Sequence, residues 1–511
     1  MAGSILLSST YFAALDPKQL AKRRPYPPLG TLYAAAALRA HGHDVSVFDA
    51  MLAPDEIGFD AALTTRRPAI VVFYEDSFNF LSKMCLSRMR EAVLRMVGSA
   101  TAQGALVIAA GADMTDHPAR YLAAGAHYVL AGEADDTLVE LVDAITPDRA
   151  HTARADAGRA HDIGHIDGVA FADERAADGV GRTRARAPER HPDRFPFPAR
   201  DLVDIESYRR IWRNARGFFS LNMVSTRGCP FHCNWCAKPI WGQRYAMRSA
   251  ANVVSELAAV KATIAPDHVW FADDIFGLRP EWVAEFAAGV RAHDACVPFT
   301  MQSRADLMTD RAVAALAAAG CQEVWLGVES GSQRVLDAMD KGIAVDDVVQ
   351  ASRRLKAAGI RAAFFLQFGY PGETLDDVWR TVDLVRALEP DDLGISVSYP
   401  LPGTPFHQRV QAQLGSKTHW TDSGDLAMMF EGTYDTAFYR RLHALLHREV
   451  ELRQASRGNG HAPADAEARE TLRLAWAELA RVEADHRSRS PTALAPHTTR
   501  PSPPDLTRSW N

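Results

Sequence analysis

Short apolar runs rich in β-branched residues alternate with segments of helical periodicity from Ile5 to Ser398. A chain patterned this way buries its strands in parallel sheets covered by helices. The alternation falls in two series. In the first, strands are expected at Ile5 to Ser8, Asp44 to Phe48, Ile70 to Phe73, Leu106 to Ala109 and Tyr128 to Leu130. Helices are expected at Leu29 to His41, Leu81 to Val97 and Asp136 to Ile145. Regular βα alternation of this kind implies a doubly wound parallel sheet, which binds ligands beyond the carboxyl ends of its strands. In the second, strands at Asn222 to Thr226, Val269 to Ala272, Phe299 to Gln302, Val324 to Val328, Ala362 to Phe368 and Gly394 to Ser398 are separated by helical segments around 249 to 265, 281 to 293, 310 to 319, 345 to 358 and 374 to 388. Six βα repeats suggest a partial barrel with its chemistry at the C-terminal ends of the strands.

A chain of 511 residues exceeds what one hydrophobic core supports. The pattern divides it into an α/β domain at 1–150, a structured linker at 151–215, a partial (β/α)6 barrel at 216–411, a mostly helical C-terminal region at 412–486 and a disordered tail at 487–511. Within the linker, Gly168 to Phe171 and Gly181 to Arg186 are expected to pair as a hairpin around Asp178-Gly179. The tail is rich in Ser, Pro, Thr and Arg. A net charge of −6 provides no global attraction to nucleic acid, so none is expected as a partner. Apolar stretches are too short for a transmembrane segment, and the N-terminus lacks the pattern of a secretory signal, which leads to an expected cytoplasmic location.

Six cysteines in so long a chain do not make a disulfide framework, and three of them lie within eight residues. These are Cys229, Cys233 and Cys236, in Thr226-Arg227-Gly228-Cys229-Pro230-Phe231-His232-Cys233-Asn234-Trp235-Cys236, directly after the first strand of the second series. Three thiolates can ligate three irons of a cubane cluster and leave the fourth iron open, whereas electron-transfer [4Fe-4S] clusters generally have four cysteine ligands. The alternative is Cys₃His zinc, with His232 as fourth ligand. The spacing disfavours it, since zinc modules usually use two separated ligand pairs and no second pair follows.

The C-x3-C-x2-C spacing with aromatic Trp235 before the last cysteine resembles the radical S-adenosylmethionine (SAM) superfamily signature. The resemblance implies that the open iron chelates the amino and carboxylate groups of SAM and that reduction yields a 5′-deoxyadenosyl radical. It extends along the later strand ends. Asp273 and Asp274 stand where the family has a Gly-Gly-Glu stretch for the SAM amino group, a departure from the pattern. Arg304 follows strand three, Glu329 ends strand four, and Gly369 and Gly372 follow strand five; together with Trp235 these are the SAM contacts the resemblance implies. Physically, Glu329 can accept from ribose hydroxyls or an ammonium, Arg304 can pair bidentately with a carboxylate, and the glycines admit an adenine close to the backbone. Glu329 and Arg304 also read as solvated rim charges, and Gly372-Glu373-Thr374 as helix-entry chemistry. Arg244, Tyr245 and Arg248 read equally as an anion site or as surface.

The N-terminal series, through Tyr26 to Tyr33, Gly42 to Asp49 and Gly132-Glu133 with Thr137-Leu138, resembles the flavodoxin-like cobalamin-binding domain found upstream of some radical SAM barrels. Anaerobic magnesium-protoporphyrin monomethyl ester cyclases share this subclass with methylases. The resemblance implies cobalamin at Tyr74, Asp76, Gly111, Gly132 and Glu133, although the loops at 74–80 and 111–113 could instead pack on the barrel. The Asp-x-His-x-x-Gly motif that offers a histidine to cobalt is absent after the first strand. Methylthiotransferases carry three further cysteines in this domain, where the present chain has Cys85 alone. The expected cofactors are thus a [4Fe-4S] cluster, SAM and cobalamin. The expected activity is C-methyl transfer through a 5′-deoxyadenosyl radical and methylcobalamin, with a cyclase or oxidoreductase and a non-catalytic cobalamin or metal sensor as alternatives. Expected partners are a small-molecule or lipid-like substrate, met partly by Trp420 and Met428-Met429-Phe430 or with those residues as core, and an electron donor such as flavodoxin or ferredoxin.

Overall fold

The computed structural model describes residues 4–78, 87–146, 163–238, 240–415, 417, 426–458, 463–488, 492 and 493. The chain divides into two compact units, Met1–Gly228 with Lys238–Asp273, and Cys229–Ala237 with Asp274–Asn511.

The first unit is built on strands β1 (Ile5–Ser8), β2 (Val45–Phe48), β3 (Ile70–Tyr74), β4 (Leu106–Ala110), β5 (Tyr128–Leu130), β6 (Val169–Ala172) and β7 (Val180–Arg182), in the sheet order β2-β1-β3-β4-β5-β6-β7. The first five run parallel, in the 2-1-3-4-5 order of flavodoxin-like sheets, with the switch point between β1 and β3. Period-2 alternation sorts the strand residues onto two faces. Leu6, Val71, Phe73 and Val107 enter one apolar core, while Ile5, Leu7, Val72 and Ile108 enter the other. The expected hairpin forms, its turn eased by Gly179 at φ +71° and by the Asp178 carboxylate accepting from Val180 N. It extends the sheet, because β6 pairs antiparallel with β5.

Helix Leu29–Ala40 starts after Pro28, which has no side-chain cap to offer. Asp76, after β3, supplies one: its carboxylate accepts from the Leu29 and Gly30 amides. Ser87–Ala102 is helical, while 81–86 of the expected helix lie outside the described residues. Helix Ile57–Arg66 was not anticipated: Gly58 and the Thr64-Thr65 pair weaken its helical signal.

Strands β8 (Ser220–Met223), β9 (Thr226–Gly228), β10 (Tyr245–Met247) and β11 (His268–Phe271) also belong to this unit. β8 and β11 pair parallel, and β9 and β10 antiparallel. The single strand expected at Asn222 to Thr226 is split in two, because Ser225 and Thr226 turn their amides to the Asp273 carboxylate, at 2.7 and 2.6 Å.

The second unit holds β12 (Phe299–Ser303), β13 (Cys321–Glu329), β14 (Arg361–Phe368) and β15 (Asp392–Val397), all parallel in the order β15-β14-β13-β12. Thr309 caps helix Asp310–Ala319, and Thr374 with Asp377 forms a capping box on Leu375–Leu388. All six strands expected of the partial barrel are therefore present within two or three residues of their expected ends. Helices Thr436–Gly458 and Pro463–Arg481 make the C-terminal region mostly helical. Most of the expected tail lies outside the described residues. Among the described residues no helix is long and apolar enough to cross a membrane.

Candidate functional site

β9 ends at Gly228, whose φ of +76° and approach to the Arg244 carbonyl leave no room for a Cβ. The chain then enters the Cys229–Ala237 loop. Cys229, Cys233 and Cys236 are half-buried thiols in no disulfide. Among the described residues no three His, Cys, Asp or Glu side chains converge on a single-ion site.

Asn234, between two of the cysteines, anchors the loop. It is buried, and its Nδ2 donates to the Ala338 carbonyl and to Asp340, both at 2.8 Å. Its Oδ1 accepts from the Tyr370 hydroxyl at 2.8 Å, its amide donates to the Met339 carbonyl, and its carbonyl accepts from Phe406 N. Sequence reading passed over this residue, since nothing local marks an asparagine whose partners lie more than 100 positions away. Phe231 lies under the Arg304 guanidinium, 3.7 Å from ring centre to Cζ.

Several implied SAM contacts are already engaged within the chain. Arg304 is buried, chelates Asp306 through Nε and Nη2 at 3.0 Å, and donates to the Lys341 and Gly342 carbonyls. Its bidentate partner is thus an internal carboxylate. Glu329 accepts from Lys341 Nζ at 2.7 Å, and both are buried, so the expected solvated rim charge is instead an ion pair. Glu329 sits at φ +60° at the point where the β13–β14 register shifts, a conformation that costs energy for a side chain of this kind. Burial would lower the Lys341 pKa, but the Glu329 carboxylate and then the Cys233 thiolate outweigh it and hold it above the ordinary value. Cys233 and the Glu329–Lys341 pair therefore share one electrostatic neighbourhood. Asp273 is consumed as a latch: besides the two amides it accepts from the Ser225 and Thr226 hydroxyls. Asp274 is half-buried. The Trp235 Nε1–H is buried and meets no acceptor among the described residues, so it is available to donate to a polar group bound here.

Gly372 stands at φ +77° in the Tyr370-Pro371-Gly372-Glu373 turn, closed by Glu373 N on the Tyr370 carbonyl, a type II arrangement that needs glycine there. Helix-entry chemistry accounts for this stretch. Gly369, at φ +74°, faces Met428, whose Sδ would lie 3.0 Å from an added Cβ, and its amide donates to Glu373 at 2.6 Å. Met429 and Phe430 are core residues, and Trp420 lies outside the described residues.

Burial pushes the Glu373 carboxyl up to about 8, against an ordinary 4.5. Between these values the folded chain holds a proton that the unfolded chain has released, so stability falls as pH rises through that window and levels off above it. Glu373→Gln is expected to flatten the profile by up to about 1.4 kcal/mol per pH unit. Urea midpoints across the window check this; an unchanged slope would assign the dependence to other groups.

In the first unit a small cleft opens beyond the strand ends. Tyr74, Gly111 and Gly132, three of the residues the resemblance implies for cobalamin, line it; Gly30, Ser77, Phe78, Ala134, Asp135, Ile240 and Trp241 complete it. Asp76 and Glu133 do not line it. Asp76 is the helix cap described above, and Glu133 is buried in a network with Arg227, the Glu189 amide and the Trp241 indole N–H. Positions 79 and 80 of the expected 74–80 loop lie outside the described residues. Arg248 is likewise not an anion site: it is buried and donates to Val224 O, Glu256, Tyr33 and Asn252, whereas Arg244 is exposed. Ile240 and Trp241 carried no sequence signal, lying outside the N-terminal series.

Residues 223–385 match the radical SAM superfamily and residues 23–142 the B12 binding domain. The chain is similar to the uncharacterized methyltransferase PH0819 of Pyrococcus horikoshii, at 25% identity over 386 residues covering 74% of this chain and 77% of that one. It is also similar to the anaerobic magnesium-protoporphyrin IX monomethyl ester cyclase of Rubrivivax gelatinosus, at 26% identity over 298 residues, 58% of this chain but only half of the cyclase. Among solved structures, the radical SAM methyltransferase TsrM of Kitasatospora setae, with cobalamin and a [4Fe-4S] cluster bound, superposes with a TM-score of 0.65 at 21% identity, covering 82% of this chain and 80% of that one. That likeness speaks for the fold. The chain thus joins a domain that matches the B12 binding domain, at 23–142, to one that matches the radical SAM superfamily, at 223–385.

Proposed function

We propose that the protein is a cobalamin-dependent radical SAM C-methyltransferase acting on a small-molecule or lipid-like substrate and reduced by a one-electron donor of the flavodoxin or ferredoxin class. The observation that carries this reading is the presence, in one chain, of a three-thiol loop and a cleft at the strand ends of a 2-1-3-4-5 sheet. Cys229, Cys233 and Cys236 would hold the cluster, and the orphaned Trp235 N–H beside them suits a polar ligand. The groups so bound would supply radical generation and a methyl carrier. The chain's own contribution is to fix the thiols through Asn234 and to keep the Glu329–Lys341 charges beside them. The similarity to PH0819, named a methyltransferase, supports methyl transfer; the similarity to the cyclase favours a second reading, ring closure by the same cofactors.

Anaerobically reconstituted protein given dithionite, SAM and hydroxocobalamin is expected to release 5′-deoxyadenosine and to retain the corrinoid through desalting. With methyl-labelled SAM, label in a product supports methyl transfer, and consumption of substrate without label supports the cyclase reading. Iron-replete protein that releases no 5′-deoxyadenosine, with or without substrate, would leave the non-catalytic sensor standing.

A further inference from the structure

Trp241 lies beyond the region matched to the B12 binding domain, on the segment that follows the cysteine loop. It nevertheless forms a wall of the cleft. Its indole is 6% exposed and packs on Phe78 from the loop after β3, with ring centres 5.2 Å apart and planes inclined by 31°. The neighbouring Ile240 joins the same apolar group, with Ala112 and Phe78. Tyr74, Ser77, Ala134, Asp135 and the glycines Gly30, Gly111 and Gly132 complete the lining, so Trp241 and Phe78 join Tyr74 as its aromatic residues. The indole is also oriented. Its Nε1 donates to Glu133 at 3.2 Å, and Glu133 is held by Arg227, which precedes Cys229 by two positions and also donates to Asp135 at 2.9 Å. One ion network therefore sets the indole from the strand that leads into the cysteine loop.

We infer that Trp241, paired with Phe78, is a cobalamin-binding residue contributed from outside the B12 domain: the corrinoid packs against the aromatic wall, and Glu133 with Arg227 positions the indole. The inference rests on the proposed corrinoid reading of the cleft. Large flat side chains deliver much contact area at small conformational cost, so removing this one weakens binding more than removing a scattered surface residue.

The test is titration of the full-length reconstituted protein with hydroxocobalamin, read by visible absorbance, with iron content and melting midpoint as measures of fold. Trp241→Ala is expected to weaken binding about tenfold or more with iron content retained. Trp241→Leu keeps apolar volume but not the flat face and is expected to weaken it by a smaller, clear factor. Should Trp241→Ala lose iron or melt early, the leucine variant decides. A dissociation constant within twofold of the unaltered protein, in either folded variant, overturns the inference alone. If the unaltered protein retains no corrinoid, the cofactor reading and this inference fall together.

Discussion

Cys233→Ala is expected to abolish the broad visible absorbance of the reconstituted protein and to bring 5′-deoxyadenosine release to background, while leaving the melting midpoint of the apoprotein nearly unchanged. The three thiols on the Cys229–Ala237 loop are half-buried and in no disulfide, so none is a packing residue whose loss opens a cavity. The loop keeps its shape through Asn234, whose side-chain bonds to Ala338, Asp340 and Tyr370 do not involve sulfur. What the substitution removes is one of three thiolate ligands, and two are too few to hold a cubane cluster with one iron left open. Iron per chain, absorbance and product should therefore fall together. Iron and absorbance retained in the variant would show that the ligands are elsewhere.

The strands were legible because burial on both faces demands near-continuous β-branched runs, as in Ile70–Tyr74, and no helix of that length would be bounded so closely by turn residues. The cysteine loop was legible for a different reason, since thiol spacing is local chemistry. The side-chain assignments were less so. Asp76, Glu133, Asp273 and Arg304 occupy positions at strand ends where a ligand contact is a fair expectation, yet each is taken by a partner inside the fold. Position along a strand says which rim a residue reaches; it does not say what compensates its charge. That depends on pairings such as Glu133 with Arg227, across 94 positions, and no periodicity encodes them. Asn234 and Trp241 were missed for the same cause, their roles being defined by distant partners.

The Glu133–Arg227–Asp135 network also sets the second large effect. Arg227 is 5% exposed, donates to both carboxylates and lies 4.1 Å over the Phe195 ring. Arg227→Met keeps much of the side-chain volume but strands two buried acids, a situation that costs about 3–5 kcal/mol. Thermal or urea unfolding should show this loss. Its pH dependence has a definite sign. Burial already raises the Glu133 pKa against the pull of Arg227; without the arginine it rises further, so the folded chain binds a proton over a wider window than the unfolded chain does. Stability of the variant then falls as pH rises through that window, and its deficit should be smaller in mild acid than in mild base. Adding Glu133→Gln and Asp135→Asn to Arg227→Met removes the stranded charge and should recover most of the loss, because a neutral set costs less to bury than a broken ion network. If the triple variant stays as unstable as Arg227→Met, the deficit comes instead from the lost stacking on Phe195, and the network's charges contribute little to holding the strand that enters the cysteine loop.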